Sequence, residues 1–323
     1  MRGEPVLVTG GAGFIGSHLV DALVAAGAET RVLDNFTSGT TENLRTSRDR
    51  IEIVRGDVRD LETCRAACAG RRFVFHLAAL SSVPRSIDDP AAFLATNVMG
   101  STHVFVAARE AGVERTVYAS SSSVYGDDEE APKREGREGT LLSPYAASKR
   151  ACEDLAALFH RCYGQDLVGL RFFNVFGSRQ DPEGDYAAVI PRFFQACLAG
   201  KAPTIYGDGS QSRDFITAAD AARAALLAAT APARAAGRAF NVAGGRQTTV
   251  AELADRIREL TGSVAEPVHA DPRPGDVLHS YADGSQAAEV LGYEPSQTLG
   301  EGLALALDYY RGRFAPEVLE GNE

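Results

Sequence analysis

Thr9-Gly10-Gly11-Ala12-Gly13-Phe14-Ile15-Gly16 follows the apolar run Val6-Leu7-Val8 directly and opens a helical pattern. Glycine at 10 permits a tight turn, at 13 a close approach of backbone to an anion, and at 16 close packing of helix on strand. The helix that follows points its free N-terminal amides into the loop, the arrangement that holds a phosphate. With a strand before and a helix after, Gly10, Gly13, Phe14, Ile15 and Gly16 are candidate contacts to the pyrophosphate of a dinucleotide. Ile15, Leu19, Leu23 and Ala26 mark one face of the helix, which should stop at Gly27.

Outward from this loop the same rhythm repeats. Thr30-Arg-Val-Leu-Asp34, Ile51-Glu-Ile-Val54, Phe73-Val-Phe-His-Leu77 and Thr116-Val-Tyr-Ala119 read as strands with helical stretches between them. Strands alternating with helices mean a parallel sheet with right-handed crossovers, so the expected fold is a doubly wound, Rossmann-like α/β fold. Beyond residue 170 the elements shorten, and loops rich in Gly, Pro and Asp occupy 177–185, 207–214 and 271–276. Thr249-Val-Ala-Glu252 is a capping box for a helix running to about Gly262. The expected organisation is a dinucleotide-binding domain of residues 1–170 plus about 213–243. A smaller α/β substrate domain takes about 171–212 plus 244–323, with a cleft between the two. The charged, glycine-rich stretch 127–139 should be an exposed loop over the carboxyl edge of the sheet.

The 323 residues carry a formal net charge of −10, which argues against nucleic acid or an anionic membrane surface as partner. No apolar run approaches the roughly 18 residues of a membrane span, and the N-terminus lacks a signal-peptide pattern, so a cytoplasmic protein is expected. Cys64, Cys68, Cys152, Cys162 and Cys197 are odd in number and scattered. They read as free thiols, with neither a disulfide nor a metal site.

Asp34 closes the second strand, where an acidic residue takes the ribose hydroxyls of a dinucleotide and repels a 2′-phosphate. Asn35 follows it, with no arginine there to receive that phosphate, so the cofactor expected is NAD. Asp57 and Val58 follow the third strand and are placed to flank the adenine. His76 ends the fourth in an apolar run and reads as a satisfied sheet residue. Tyr145 and Lys149 stand four apart in Ser143-Pro-Tyr-Ala-Ala-Ser-Lys149, in a chain with only three lysines: Lys133, Lys149 and Lys201. Four residues is one helical turn, so phenol and ammonium share a face. A nearby cation favours the phenolate and equips the tyrosine as a general base.

These motifs together resemble the extended short-chain dehydrogenase/reductases and, within them, the nucleotide-sugar 4-epimerases, over essentially the whole chain. The carriers are the glycine loop, Asp34-Asn35-Phe36, Gly56-Asp57-Val58, His76-Leu77-Ala78-Ala79, Asn97, the serine run 120–123 before Val124-Tyr125-Gly126, and the Tyr145/Lys149 pair. They continue in Arg171-Phe-Phe-Asn174-Val-Phe-Gly177, in Gly207-Asp-Gly-Ser-Gln-Ser-Arg213-Asp214 and in Arg273-Pro-Gly-Asp276. The resemblance implies that Ser121, with Ser123 as the other choice, hydrogen-bonds the sugar O4. It further implies that Tyr145 removes the O4 proton while Lys149 holds the nicotinamide ribose. Hydride would pass from C4 to NAD and return to the other face of a 4-keto sugar. Leu77, Ala78 and Asn97 match positions at the cofactor, and Asn174, Val189, Arg213 and Arg273 match positions at a uridine diphosphate. Arginine suits that group because its planar fork can chelate two oxygens.

Departures from the relatives narrow the reaction. Family dehydratases carry Asp-Glu before Val-Tyr-Gly, and decarboxylases a Glu there; this chain has Ser122 and Ser123. Epimerisation is therefore preferred to dehydration or decarboxylation. Ser280 falls at the family's gatekeeper position, where a small residue leaves room for a sugar larger than glucose. Arg179 and Arg192 lie in the segment that lines the substrate cleft by resemblance, and could clamp a sugar carboxylate. The expected substrate is UDP-glucuronate, with UDP-N-acetylglucosamine or UDP-glucose as the alternative. A nucleotide-sugar reductase, argued against by Asp34, and a non-enzymatic NAD sensor are the readings from other classes. Helices near 96–112 and 145–163 resemble the pair that forms family homodimers, so a homodimer is expected, although Val98, Phe105, Leu155, Leu158 and Phe159 could equally be core packing.

Overall fold

The computed structural model describes residues 1–182, 188–272 and 278–314. Its centre is a seven-stranded parallel sheet. In chain order the first half runs β1 (Pro5–Thr9), α1 (Phe14–Ala25), β2 (Glu29–Asp34), β3 (Ile51–Arg55), α2 (Leu61–Cys68) and β4 (Phe73–His76). Then come α3 (Val83–Asp88), α4 (Pro90–Phe93), a π-helical turn Leu94–Met99, α5 (Gly100–Glu110), β5 (Arg115–Ser121), α6 (Pro144–Tyr163) and β6 (Leu167–Phe172). The remaining elements are β7 (Asn174–Phe176), α7 (Val189–Leu198), β8 (Thr204–Tyr206), β9 (Ser212–Arg213), β10 (Phe215–Thr217), α8 (Ala218–Ala229) and β11 (Arg238–Val242). The chain continues with β12 (Thr248–Thr249), α9 (Val250–Thr261), β13 (Val268–Ala270), β14 (His279–Ser280), α10 (Ser285–Leu291) and α11 (Leu299–Phe314).

The strand order β11-β6-β5-β4-β1-β2-β3 reverses direction between β1 and β4, which makes the doubly wound fold the sequence predicts. Inner strands are buried on both faces and so read as continuous apolar runs, with alternate residues feeding opposite layers. Val6, Val8, Val32, Phe73 and Phe75 pack with α1 and α8, whereas Leu7, Leu33 and Val74 pack with α2 and α5. The crevice opens at the switch point. Register aligns Thr9 with Leu33 on one side and with His76 on the other, so the glycine loop and Leu77-Ala78 leave the sheet side by side.

A second cluster collects Phe176, Ile190, Phe193, Phe194, Leu253, Ile257, Leu303 and Tyr310 from β7, α7, α9 and α11. Three small sheets accompany it: β7 with β10, β8 with β13, and β9 between β12 and β14. Thr249 caps α9 as expected, its Oγ1 accepting the Glu252 N–H at 3.1 Å, while the Glu252 carboxylate takes Arg256 at 2.8 Å. Residues 285–293, expected with the substrate side, pack instead into the large core: Ala287, Val290, Leu291 and Tyr293 belong to it.

One further expectation needs correction, and one open choice is decided. The loop 127–139 is largely exposed but pinned at two points. Lys133 is buried against residues 281–283, and Glu138 binds Arg171 at 2.5 Å. Phe105 and Phe159, open between interface and core on sequence, stack edge-on in the core at 5.9 Å. The apolar residues exposed on those helices are Leu94, Met99, Leu158 and Tyr163. The helical run 90–110 has the length and apolar composition to cross a membrane, and nearly half of it is buried in the fold. The five cysteines are free thiols, four of them buried, and burial pushes Cys64 and Cys68 up to about 12.

Candidate active site

One cavity of about 930 Å³ runs along the carboxyl edge of the sheet, from the ends of β1–β3 to the small sheets of the second core. At its first end Gly10 has φ +70°, and a Cβ there would meet the Ala78 amide nitrogen at 2.6 Å. A Cβ on Gly16 would collide with the Gly10 carbonyl. The two positions therefore need glycine, and α1 begins flush against the turn with its first amides unpaired within the helix. Gly10, Gly13, Phe14, Ile15 and Gly16 all line the cavity, with Leu77 and Ala78 opposite. Asp34 is buried at the end of β2, accepting the Ala12 N–H at 2.9 Å and the Phe36 N–H at 2.8 Å. It lines the cavity together with Asn35 and Val58. Arg31 is taken by Glu52 at 2.7 Å and by the carbonyls that end α2, so it offers nothing to a 2′-phosphate. A dinucleotide with free ribose hydroxyls fits this end.

Tyr145 and Lys149 enter from α6. Ser143 caps that helix, accepting the Ala146 N–H at 3.1 Å, and Pro144 at its first position fixes the entry. Ser86 Oγ accepts the Tyr145 N–H at 3.1 Å, and the Phe93 ring meets the tyrosine edge-on at 6.3 Å. Lys149 is buried, its Nζ 6.0 Å from the centre of the Tyr145 ring and donating to the Ala119 carbonyl at 2.8 Å. That leaves two of its three donors for the cavity side. Ser121 ends β5 on the same wall, with its Oγ accepting the Ser123 N–H at 3.2 Å. One turn beyond Lys149, Glu153 anchors the helix to the sheet. It accepts the Ser120 hydroxyl at 2.5 Å and a forked pair from Arg171 at 2.8 and 2.7 Å.

Asn97 does not line the cavity. It is buried behind it, bonded to both backbone groups of Leu80 and to the Ser148 hydroxyl at 2.9 Å, and so joins the wall of the crevice to α6. His76 sits between Thr9 at 2.7 Å and Ser101 at 2.9 Å. Ser101 spends its proton on the Asn97 carbonyl, so His76 donates through Nε2 and accepts the Thr9 hydroxyl at Nδ1. Burial pushes its pKa down to about 3, as befits a satisfied sheet residue. Asp57 departs from the expected adenine contact. Its carboxylate holds Arg59 and Asn35, with Arg59 keeping it far below the usual range, and the cavity is lined by Gly56, Val58 and Arg59.

At the far end Asn174, Val189 and Arg213 line the cavity. Ser280 stands one strand away, in register with Arg213, and Arg273 lies outside the described residues. Ser123 is turned inward, its buried hydroxyl without a partner among the described residues. The two arginines expected to clamp a carboxylate are elsewhere. Arg179, at φ +67°, binds Asp21 of α1 at 2.6 Å. Arg192 lines a separate cavity of about 550 Å³ with Lys201 and Phe193. Sequence reasoning missed Ser81, Arg85, Thr96 and Tyr206, which line the main cavity from loops and short elements with no motif of their own, and Gln211, which lies within the 207–214 motif.

Residues 6–243 match the NAD dependent epimerase/dehydratase family. The chain belongs to that family. Over 311 residues it is 40% identical to the UDP-glucose 4-epimerase of Mycolicibacterium smegmatis, covering 95% of this chain and 98% of the relative. Its fold matches a UDP-N-acetylglucosamine 4-epimerase from Methanobrevibacter ruminantium solved with UDP-N-acetylmuramic acid, with a TM-score of 0.92 and 38% identity. That match covers 97% of this chain and 100% of the other. A UDP-glucuronic acid 4-epimerase from Bacillus cereus, solved with NAD, matches at a TM-score of 0.88 and 29% identity over 96% of this chain and 99% of its own. This family member is thus an NAD-dependent enzyme of the nucleotide-sugar epimerase type.

Proposed function

We propose that this enzyme inverts C4 of a UDP-linked hexose whose C6 is a neutral hydroxymethyl group. One observation carries the reaction type. Ser121, Tyr145 and Lys149 meet on the cavity wall, and the neighbouring positions 122 and 123 are serines, Ser122 lining the cavity and Ser123 turned inward, where elimination or decarboxylation would need a carboxyl group. Tyr145 takes the proton of the C4 hydroxyl, Ser121 holds that oxygen, and Lys149 stands one turn along the same helix with its Nζ 6.0 Å from the centre of the Tyr145 ring. Held by the glycine loop and Asp34, NAD would supply the reversible hydride acceptor that inversion at C4 requires. Tyr145 then gives the proton back to O4, so the cycle ends with no net oxidation. The diphosphate is assigned to Arg213 and the nucleotide end to Asn174 and Val189, with Ser280 leaving room for an N-acetyl group.

The sugar assignment follows the arginines. A uronate needs a cation or several donors for its carboxylate. Arg179 is spent on Asp21 and Arg192 lies off the cavity, so support for the uronate expected from the sequence is lost. Arg85 supports a uronate as the second reading: it is exposed on the cavity wall, one residue before the Ser86 that holds Tyr145. The test is purified protein, without added NAD, given UDP-glucose, UDP-N-acetylglucosamine and UDP-glucuronate in parallel, with products read by NMR at the C4 proton. Conversion of either neutral sugar at a rate above the uronate is expected. Conversion of the uronate alone would transfer the assignment to the Arg85 reading, and no conversion of any would end the epimerase proposal.

A further inference from the structure

Asp214 is fully buried at the junction of β9 and β10, and the loops that carry the substrate end of the cavity converge on it. Its Oδ1 accepts the Gly244 N–H at 2.7 Å, and its Oδ2 accepts those of Gly245 at 3.1 Å and Ala282 at 3.3 Å. Its own carbonyl accepts Nδ2 of Asn174 at 3.0 Å, and its amide donates to the Ser280 carbonyl at 2.9 Å. Four separate chain segments thus meet at one residue: β7, β9, the turn after β11 and the exit of β14. The residue before it, Arg213, faces the cavity.

The chemistry calls for a carboxylate here. All the groups pointing at the side chain are N–H donors, and a carboxylate is acceptor-only with room for about four such bonds. Burial pushes the Asp214 carboxyl up to about 6, opposed by the surrounding amides, Arg246 among them. The donors are therefore what keep the charged form in place. Gly244 fits the same account: a Cβ on it would run into the Phe215 carbonyl and reach 3.0 Å from Asp214 Oδ1, so the turn can approach only as glycine.

We propose that Asp214 is a positioning residue that sets Arg213, Asn174 and Ser280 in one frame for the nucleotide diphosphate. The assignment rests on the UDP-sugar reading above. It acts on binding of the nucleotide and not on the hydride step, because none of the hydrogen bonds named above is to the helix that carries Tyr145 and Lys149. Asp214→Asn keeps the shape but turns an NH2 toward the Gly245 and Ala282 amides, donor against donor, and should let the frame open.

The experiment is calorimetric titration of UDP alone, with steady-state kinetics on whichever UDP-sugar the wild type converts. In Asp214→Asn the UDP dissociation constant and the KM are expected to rise together by about tenfold, the order of one unsatisfied buried donor. NAD content and kcat should stay close to wild type. An unchanged affinity and KM, or a fall in kcat at unchanged KM, overturns the assignment, as does a variant that loses only thermal stability. If Asp214→Asn does not fold, Gly244→Ala carries the same test by pushing the turn off the carboxylate. Wild-type protein that binds no UDP takes down the UDP-sugar reading and this assignment with it. Wild type that binds UDP, with a variant that matches it, overturns the assignment alone.

Discussion

Replacing Arg171 with methionine removes the cation from a site that holds two carboxylates. The side chains of Arg171, Glu153 and Glu138 are 6%, 8% and 10% exposed, with Arg171 bridging the other two at 2.7 and 2.5 Å. Glu153 lies on the helix of Tyr145 and Lys149, and Glu138 lies in the loop leading from the serine run to that helix. The guanidinium therefore ties the loop, the helix and β6 together. Removing one partner of a buried pair costs about 3–5 kcal/mol, because the remaining charge is left without compensation. Two carboxylates are left here, although Arg150 stays 3.6 Å from Glu138, so about 4 kcal/mol at pH 7.5 is the working figure. The sign with pH follows. Without Arg171 the burial of Glu138 is no longer opposed by that cation, so this carboxyl takes up a proton more readily folded than unfolded, and the penalty is full at neutral pH and eases as pH falls toward the ordinary glutamate range. Urea unfolding of NAD-loaded protein at pH 7.5 and 5.5 measures this. The single variant should lose about 4 kcal/mol at pH 7.5 and less at pH 5.5, and Arg171→Met with Glu153→Gln should recover a large part. A loss below about 1 kcal/mol, or a double variant no more stable than the single, would refute the network as described.

Three further outcomes follow from the same geometry. Gly16→Ala places a methyl against the Gly10 carbonyl, so the protein should purify with little NAD by absorbance and regain activity poorly when NAD is added; full NAD content would show that the loop yields. Tyr145→Phe should keep NAD and the fold yet lose turnover by about a hundredfold or more, the usual weight of a general base, read by the NMR assay. His76 is held neutral, so its stabilising contribution is present above pH 6.5 and lost as pH falls through that value toward 3. Between pH 7 and 5 the wild type should therefore lose about 2 kcal/mol more than His76→Gln, measured by urea midpoints; parallel losses would contradict the buried neutral imidazole.

The parts legible in the sequence were those whose chemistry is local. A glycine loop between strand and helix, an acid at a strand end and a tyrosine one turn from a lysine each declare their geometry through spacing. All three line the cavity. The arginines did not, because a long side chain goes where tertiary charge directs it. Arg179 answers Asp21, 158 residues earlier, and Arg31 answers Glu52 across the sheet. Asp57 shows the same limit at close range, since Arg59 two positions on takes its carboxylate. The 127–139 stretch reads as solvent loop by composition, yet Lys133 and Glu138 are drawn in by partners far along the chain. Asp214 was visible only as part of a motif. Its importance lies in which amides converge on it, and no spacing announces that.

The most direct test of the central claim is the fate of the C4 hydrogen. Protein as purified, with no NAD added, is incubated with UDP-hexose deuterated at C4, and the product is examined by NMR and mass spectrometry. Return of hydride within one closed site predicts the C4 epimer with deuterium retained at C4 and no free reduced cofactor. Loss of the label to solvent, or a product lacking the C4 hydroxyl, would contradict it.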